Sequence, residues 1–547
     1  MKIGLAFSLG TLAVAAALVP TQAQAAGDAR VTTDNLGGSY TRYDGTTDAT
    51  TTACGTGRRP QNEPSVAVNP RNPNIVVAGS NDYCGQTVGI DVWTGYYRST
   101  DGGATWHNSL VPGYPTDESA AGTASPTHGV CNAAGDPTQA FDAEGRLFYG
   151  FICFNRAKPS NGSIYAATYD QDGGRYVRTV KVATGTPSTA GLFQDKVNLA
   201  VDPATGNVYI AWVRYSGAAG NNVVYFSRSL DHGATFSPGI RVSAGLSEEQ
   251  FADLAVAPDG TVYLTYRTIA HQPSTHDAIH LVRSTDQGAS FQTPRELAGI
   301  TPFDSGQFGD SDSCGDGPFA CASGFTYSRF SSLSAVAADA SGVHVVWSAR
   351  NAAGQAKVYV RNSPDGVNWP TPAKPLDGVP TGHQWFPDIA SADGVITAVF
   401  YDSRRDPGYA PTVPPGNTAA GVNSGDVVDT IAARSGDGGV TWTESVISTA
   451  GSNFGWETHG ARRLGFWGDY NYVSAVPGAV NAVWTDSRDL VPGVDPREPN
   501  ATDGFDVYQP CTYVPNDINA PSYSSPSITD PCLNRGGLDQ NIYGARL

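Results

Sequence analysis

The chain has 547 residues with 51 acidic and 34 basic side chains, which gives a formal net charge of −17 at pH 7. This acidity argues against a nucleic-acid partner, because phosphate backbones bind basic surfaces. The 63 glycines, 37 prolines and single methionine, with no long run of helical periodicity, predict an all-β protein.

Residues 1–25 have the pattern of a secretory signal peptide. Lys2 precedes an apolar run from Ile3 to Val19, and Ala23-Gln24-Ala25 offers small residues for cleavage. No later stretch is long and apolar enough to cross a membrane. The sequence therefore predicts a secreted protein without membrane contact, in which residues 26–547 form one domain of a monomer.

The eight cysteines fit an oxidising compartment. Their proximity in the sequence suggests four local disulfides, although spacing alone leaves other pairings open: Cys54–Cys84, Cys131–Cys153, Cys314–Cys321 and Cys511–Cys532. None of the spacings is typical of a zinc site, so no metal ligand is predicted. No motif requires a cofactor, and a structural calcium ion is left open.

A short motif, Ser-x-Asp-x-Gly-x-Thr-aromatic, recurs five times and starts at Ser99, Ser229, Ser284, Ser363 and Ser435, with the copy at Ser363 one residue short. Asp and Gly favour tight turns, and the aromatic residue that follows would pack between sheets. The motif resembles the Asp box of the sialidase superfamily and its relatives. That resemblance implies a β-propeller in which the boxes are structural and lie far from the active site.

A second repeat predicts the number of propeller blades. Seven β-hairpins begin near residues 64, 136, 196, 253, 333, 388 and 472, and a third and fourth strand follow most of them. Four strands in each of seven units predict a seven-bladed β-propeller. The alternative is six blades, as in sialidases. The second unit has a degenerate box at residues 170–174, and the last blade is expected to use strands from both chain ends.

The ends of the second strands should surround the central channel on the face opposite the boxes. Most of these positions carry arginine, and the first carries Tyr83; the arginines are Arg156, Arg214, Arg267, Arg350, Arg404 and Arg488. Arginine binds carboxylates through a planar fork, so the cluster predicts an acidic glycan as ligand. The alternative is that each arginine pairs with a nearby Asp or Glu.

Loops that approach the first strands supply further candidates on the same face, namely Glu63, His128, His383, Trp385, His459 and Tyr470. The predicted catalytic residues are His128, His383, Tyr83, Arg214 and Arg267. The predicted substrate-binding residues are Arg156, Arg350, Arg404, Arg488, Glu63, Trp385, His459 and Tyr470.

Three functions are consistent with this pattern. The first is a polysaccharide lyase that removes terminal rhamnose from glucuronate by β-elimination, which a resemblance to seven-bladed rhamnose-glucuronate lyases implies. The second is an exo-α-sialidase, although the Phe/Tyr-Arg-Ile-Pro motif of sialidases is missing and Asn62-Glu63-Pro64-Ser65 stands at the first hairpin. A hydrolase would need a nucleophile and acid pair, such as Tyr470 with Glu63 or Asp136. The third is a non-catalytic glycan-binding propeller.

Overall fold

The computed structural model describes residues 27–34, 40–56, 59–155, 161–186, 191–216, 221–243, 248–270, 276–303, 311–313, 320–322, 332–415, 427–454, 467–489 and 540–547. Within these ranges the protein is built almost entirely of β-strands, which confirms the all-β prediction. The helices are short: α1 (Ala49–Cys54), α2 (Ala120–Ala124) and a 3-10 turn at Cys84–Val88. No helix among the described residues is long and apolar enough to span a membrane.

The strands form sheets in which four antiparallel strands follow one another along the chain. Sheet 1 contains β2 (Gln61–Val68), β3 (Val76–Asp82), β4 (Trp93–Ser99) and β5 (His107–Leu110). Sheet 2 contains β6 (Ala133–Phe141), β7 (Leu147–Asn155), β8 (Asn161–Asp170) and β9 (Arg175–Ala183). Sheet 3 contains β10 (Leu192–Val201), β11 (Val208–Ser216), β12 (Asn221–Ser229) and β13 (Ile240–Arg241), and a single parallel pair links β10 to β8.

The same order continues in the second half of the chain. Sheet 4 contains β14 (Glu249–Val256), β15 (Val262–Thr268), β16 (Ala278–Ser284) and β17 (Arg295–Gly299), and a small hairpin of β18 (Ser311–Ser313) and β19 (Ala320–Ala322) follows. Sheet 5 contains β20 (Ser334–Asp339), β21 (Gly342–Arg350), β22 (Ala356–Ser363) and β23 (Lys374–Pro375). Sheet 6 contains β24 (Gln384–Ala392), β25 (Val395–Asp402), β26 (Asp429–Ser435) and β27 (Thr443–Val446).

The last sheet joins the two ends of the chain. Sheet 7 contains β28 (Tyr472–Val476), β29 (Ala479–Asp486), β30 (Asn541–Arg546) and β1 (Ala29–Arg30). In it β30 pairs with β29 on one side and with β1 on the other. The first strand of each sheet contacts the first strand of the next, and β28 contacts β2. Contacts between first strands therefore run in one series through the described sheets, from β2 to β28 and back to β2.

Side chains of the first strands tie neighbouring sheets together. Asp388 Oδ2 accepts a hydrogen bond from the Val473 N–H at 2.6 Å, and Asp253 Oδ2 accepts one from the Val336 N–H at the same distance. Asn198 Oδ1 accepts a bond from the Leu254 N–H at 3.1 Å. Because these groups are buried, each bond satisfies a backbone donor that water cannot reach.

The motif copies at Ser99, Ser229, Ser284 and Ser435 form the same hydrogen-bonded turn, whereas in the shorter copy the Ser363 Oγ donates to the Asn368 carbonyl. In the copy at Ser435, the serine Oγ donates to Asp437 Oδ1 at 2.7 Å and accepts from the Gly439 N–H at 2.9 Å. Asp437 also accepts bonds from the backbone and hydroxyl of Thr441. These bonds hold the aspartate ionised and lower its pKa. The aspartates therefore have a structural role, as the sequence predicts.

Two of the predicted disulfides are present, Cys54–Cys84 and Cys131–Cys153. The first joins α1 to the 3-10 turn after β3, and the second joins the segment before β6 to β7. The other two predicted pairs involve Cys314, Cys511 and Cys532, which lie outside the described residues.

Candidate functional site

A bulge near the start of several first strands turns one side chain toward the channel. At this position Glu63, Asp136, Lys196, Phe251 and Phe386 have φ between 51° and 56°. The register of each strand shifts at the same place. A non-glycine residue with positive φ is strained and needs support from its surroundings. It recurs at the same place in the first strands of sheets 1, 2, 3, 4 and 6.

Charged side chains at sheets 7, 1, 2 and 3 lie close together. Lys196 Nζ lies 2.5 Å from Asp469 Oδ2, 3.4 Å from Glu63 Oε1 and 3.4 Å from Asp136 Oδ2. It also lies 5.9 Å from the centre of the Tyr470 ring. Asp195 adds a fourth carboxyl group through its interaction with Asp136. We call Glu63, Asp136, Asp195, Lys196 and Asp469 the carboxylate–lysine cluster.

Asn81, at the end of β3, fixes two members of the cluster. Its side-chain Nδ2 donates to Glu63 Oε2 at 2.9 Å, and its Oδ1 accepts from the Asp136 N–H at 2.7 Å. One amide therefore joins sheet 1 to sheet 2 beside the charged groups. The hydrogen bond from Asn81 fixes the orientation of the Glu63 carboxyl group, which is a form of preorganisation.

Burial and mutual repulsion change the protonation of the cluster. Burial raises the pKa of Glu63 well above its usual value, and the nearby Asp136 raises it further. Burial and Asp136 also raise the pKa of Asp195, to about 7. Burial opposes the charge on Lys196, but Asp136, Asp469 and Glu63 outweigh it and raise the pKa of the ammonium group. The cluster therefore combines carboxyl groups whose pKa values are raised with a lysine whose cationic form is favoured.

The pKa of Asp195 predicts a pH-dependent gain in stability for Asp195→Asn. Unfolded aspartate ionises near pH 4, whereas folded Asp195 does so at about pH 7. Between these values the folded state holds a proton that the unfolded state releases, so rising pH lowers the free energy of unfolding. Asparagine has no such charge, and we expect its advantage in melting temperature over the wild type to grow between pH 5 and pH 8.

Thermal unfolding monitored by circular dichroism at both pH values measures this difference. The matched control is Asp259→Asn, which changes an exposed aspartate in the β14–β15 turn. Its melting temperature should follow the wild type at both pH values. An equal effect of Asp195→Asn at pH 5 and pH 8 would contradict the raised pKa.

Beyond the cluster, the channel is lined by both apolar and polar side chains, including those of Asp253 and Asp388. A narrow cavity of about 60 Å³ runs between the first strands, and its walls include Lys196, Phe251, Leu333, Pro387 and Tyr470. This volume holds water but not a sugar ring. Asp195, Lys196 and Tyr470 are partly exposed, so solvent reaches the cluster through these three side chains.

The described arginines do not line this cavity, contrary to the predicted convergence. Arg267 pairs with Asp277 at 2.5 Å, and Arg488 pairs with Asp28 and Asp486. Arg404 pairs with Asp377, Asp402 and Glu444. Their charge is thus met by carboxylates close to the second-strand ends, which is the alternative that the sequence left open.

The remaining second-strand candidates have separate surroundings. The guanidinium of Arg214 stacks on the Tyr225 ring at 3.8 Å, and the Arg350 N–H donates to the Thr301 carbonyl. Tyr83 is buried in a small apolar cluster with Val92 and Ala133. Arg156 lies outside the described residues.

His383 and Trp385 are structural where the sequence suggested a site. His383 is fully buried, its Nδ1 accepts from the Ala356 N–H, and its Nε2 donates to the Val413 carbonyl. Burial lowers the pKa of His383 to about 4, and the buried ring cannot exchange protons with a substrate. Trp385 is also fully buried, against Tyr401 and Phe454.

Two histidine candidates remain, His128 and His459. His128 is half-buried in the loop before the Cys131–Cys153 disulfide and is not among the residues of the channel cavity. His459 lies outside the described residues. No group of three or more His, Cys, Asp or Glu side chains within the described ranges is arranged to hold a metal ion.

Glu63 and Tyr470 are the sequence candidates that the structure brings together. Asp136 was also considered as a partner for Tyr470, and the structure places it beside Glu63 and Lys196. Lys196 was missed, because a single lysine in Gln194-Asp195-Lys196-Val197 carries no motif. The signal that identifies it is its alignment with Glu63 and Asp136 at the start of successive hairpins.

No protein-family model and no curated protein matches the chain. Among solved structures, the chain is similar to a Hadza microbial sialidase, with a TM-score of 0.40, 13% identity, and coverage of 75% of this chain and 70% of that one. It is also similar to a Penicillium chrysogenum alpha-L-arabinanase complexed with arabinobiose, with a TM-score of 0.41, 12% identity, and coverage of 70% and 94%. A third similar structure is a GH93 alpha-L-arabinofuranosidase of Fusarium graminearum, with a TM-score of 0.40, 9% identity, and coverage of 69% of this chain and 92% of that one. These likenesses are too distant to support an activity, which must be inferred from the site.

Proposed function

We propose that the protein is a secreted, seven-bladed β-propeller that hydrolyses glycosidic bonds at the carboxylate–lysine cluster. The blade count is supported by the four-stranded sheets of the described chain and by the contacts between their first strands. Secretion is supported by the pattern of residues 1–25 and by the two disulfides. The activity is supported chiefly by one observation, the crowding of four carboxyl groups around Lys196.

The charge of the cluster suits a cationic transition state. Four carboxyl groups surround Lys196, which is the one cation of the cluster, so the cluster is negative whenever more than one of these carboxyl groups is ionised. Glycoside hydrolysis passes through an oxocarbenium-like state that such a site stabilises. β-Elimination from a uronate instead builds negative charge, which the cluster would repel.

Asp195 is the best placed general acid. It is partly exposed, and its pKa of about 7 matches the range in which proton transfer is efficient near neutral pH. Asp136 raises this pKa. Asp469 is buried and its Oδ2 lies 2.5 Å from Lys196 Nζ, so we assign it the role of positioning the ammonium group. Burial raises the pKa of Tyr470, so its phenol stays neutral and serves as a hydrogen-bond donor.

The same geometry favours a neutral sugar at the reacting position. Among the described residues that line the channel cavity, Lys196 is the one cation, and its ammonium group is already paired with carboxylates. A sialoside or a uronate would bring a further negative charge to this site. The lyase and the sialidase are therefore the alternatives that the experiment must separate from a neutral-glycoside hydrolase.

A substrate panel tests the proposal. The purified full-length protein is incubated with 4-methylumbelliferyl glycosides of neutral sugars, with a sialoside and with gum arabic. We expect fluorescence from at least one neutral glycoside, and no unsaturated uronate detectable by ultraviolet absorbance. Release of sialic acid, or of unsaturated uronate from the gum, would contradict the proposal. So would binding of a glycan without turnover, which would indicate a lectin-like propeller.

A further inference from the structure

Sheet 2 lacks the Ser-x-Asp sequence that ends the third strand in sheets 1, 3, 4, 5 and 6. The first residue of β3 pairs with Ser99, and the first residue of β11 pairs with Ser229, so the motif serine ends the third strand. In sheet 2 the same position is taken by Tyr169, which pairs with Leu147. A short turn at residues 171–174 then leads directly into β9.

The turn of sheet 2 keeps the motif aromatic but not the motif serine, because Tyr176 stands seven residues after Tyr169 as Trp106 stands seven residues after Ser99. In sheet 4 the motif residue Phe291 packs on Phe226, three residues before the motif serine of sheet 3, with ring centres 4.8 Å apart. Tyr96 has the position of Phe226 in sheet 1. Here the ring of Tyr169 stacks on Tyr96 at 4.4 Å, and Tyr176 packs edge-on against Tyr169 at 5.4 Å.

A cavity of about 360 Å³ remains at this junction, within the size range of small-molecule sites. It is formed by the motif turn of sheet 1, the 171–174 turn and the segment near residue 43. Its walls include four aromatic residues, one arginine and one histidine: Tyr43, Tyr96, Trp106, Tyr169, Arg98 and His107.

Two polar groups of the cavity, on Tyr169 and Arg98, have capacity for further hydrogen bonds. The Tyr169 side chain is buried, and its hydroxyl has no hydrogen-bond partner among the described residues. Arg98 donates Nε to the Asp172 carbonyl at 3.1 Å and forms no ion pair with a described residue. No described Asp or Glu lines the cavity. Burial and Arg98 lower the pKa of His107, so Arg98 carries the positive charge of the site.

We propose that this cavity binds a uronic acid residue of an acidic glycan, with its carboxylate on Arg98, its ring on Trp106 and a hydroxyl group on Tyr169. Sugar rings present apolar C–H faces to aromatic side chains, and a guanidinium recognises a carboxylate through charge-assisted hydrogen bonds. The cavity lies on the face of the motif turns, opposite the starts of the first strands. It therefore anchors a glycan at a distance from the carboxylate–lysine cluster and is independent of the proposed activity.

Isothermal titration calorimetry with methyl β-glucuronide tests this site, with methyl β-glucoside and acetate as reference ligands. We expect the glucuronide to bind most tightly, and Arg98→Gln to weaken it about tenfold, the loss of one charge-assisted contact. Tyr169→Phe, which removes only the hydroxyl, should weaken it by about fivefold. Trp106→Leu should weaken both sugars.

The chain offers matched controls for two of these variants. Arg434 precedes the motif serine of sheet 6 as Arg98 does in sheet 1, and the indole of Trp442 donates to Gly439 as Trp106 does to Gly103. Arg434→Gln and Trp442→Leu should bind the glucuronide as the wild type does. Undetectable binding, equal binding of glucoside or acetate, or unchanged binding in the Arg98 and Tyr169 variants would overturn the proposal. Turnover of a small neutral glycoside should be unchanged in every variant. A failure of the proposed binding site can therefore be distinguished from a failure of the proposed hydrolase site.

Discussion

Replacement of Asp195 by asparagine is expected to lower kcat/KM for alkyl glycosides by about 10³-fold, the usual contribution of a general acid. Asparagine keeps the size of the side chain but cannot donate the proton that the leaving oxygen needs. The wild-type kcat/KM should fall as pH rises through about 7, where Asp195 loses its proton. In Asp195→Asn this limb of the pH profile should be absent.

Leaving-group dependence separates an acid from a merely structural residue. A dinitrophenyl leaving group departs without protonation, so Asp195→Asn should retain most of its activity on a dinitrophenyl glycoside. Asp259→Asn, at an exposed turn, should match the wild type on both substrates. Equal losses on alkyl and dinitrophenyl glycosides would mean that Asp195 supports the structure of the site and does not transfer the proton.

Removal of residues 540–547 is expected to prevent folding. These residues include β30, an inner strand of sheet 7 whose backbone pairs with both β29 and β1. Gln540 and Asn541 also reach Asn62 and Thr32 through buried hydrogen bonds. Without β30 the ring of sheets would expose two unpaired strand edges, which favours aggregation.

The matched deletion begins the mature chain at residue 31 and removes β1. This two-residue strand lies at the edge of the same sheet, so its loss should lower the melting temperature while the protein remains folded. Circular dichroism and size-exclusion chromatography distinguish the two cases. A folded, monomeric protein lacking residues 540–547 would contradict the closing role of β30.

The repeated elements of the fold could be predicted from sequence because they depend on local chemistry. The Ser-x-Asp-x-Gly turns are held by bonds within a few residues of each other, as in Ser435 to Asp437. The hairpins follow from short apolar strands separated by turn residues. The use of both chain ends in the last sheet could also be predicted, and β30 and β1 complete sheet 7.

The site was only partly predictable because it depends on contacts between sheets. Arg404 and Asp402 are two residues apart, yet charge alone could not show whether this arginine would face a ligand or its neighbour; the structure pairs them at 2.6 Å. Glu63 and Lys196 are 133 residues apart and meet because both stand at the bulge of a first strand. Such a meeting follows from the register of the strands, which spacing along the chain does not reveal.

The most direct test of the proposed activity is to cleave a neutral glycoside in water enriched in oxygen-18 and to weigh the products by mass spectrometry. Hydrolysis at the carboxylate–lysine cluster predicts one oxygen-18 atom in the released sugar, and loss of this labelled product in Asp195→Asn. Elimination forms a double bond without adding water. A product that carries an unsaturated sugar and no label, or a labelled product that Asp195→Asn releases at the wild-type rate, would contradict the account.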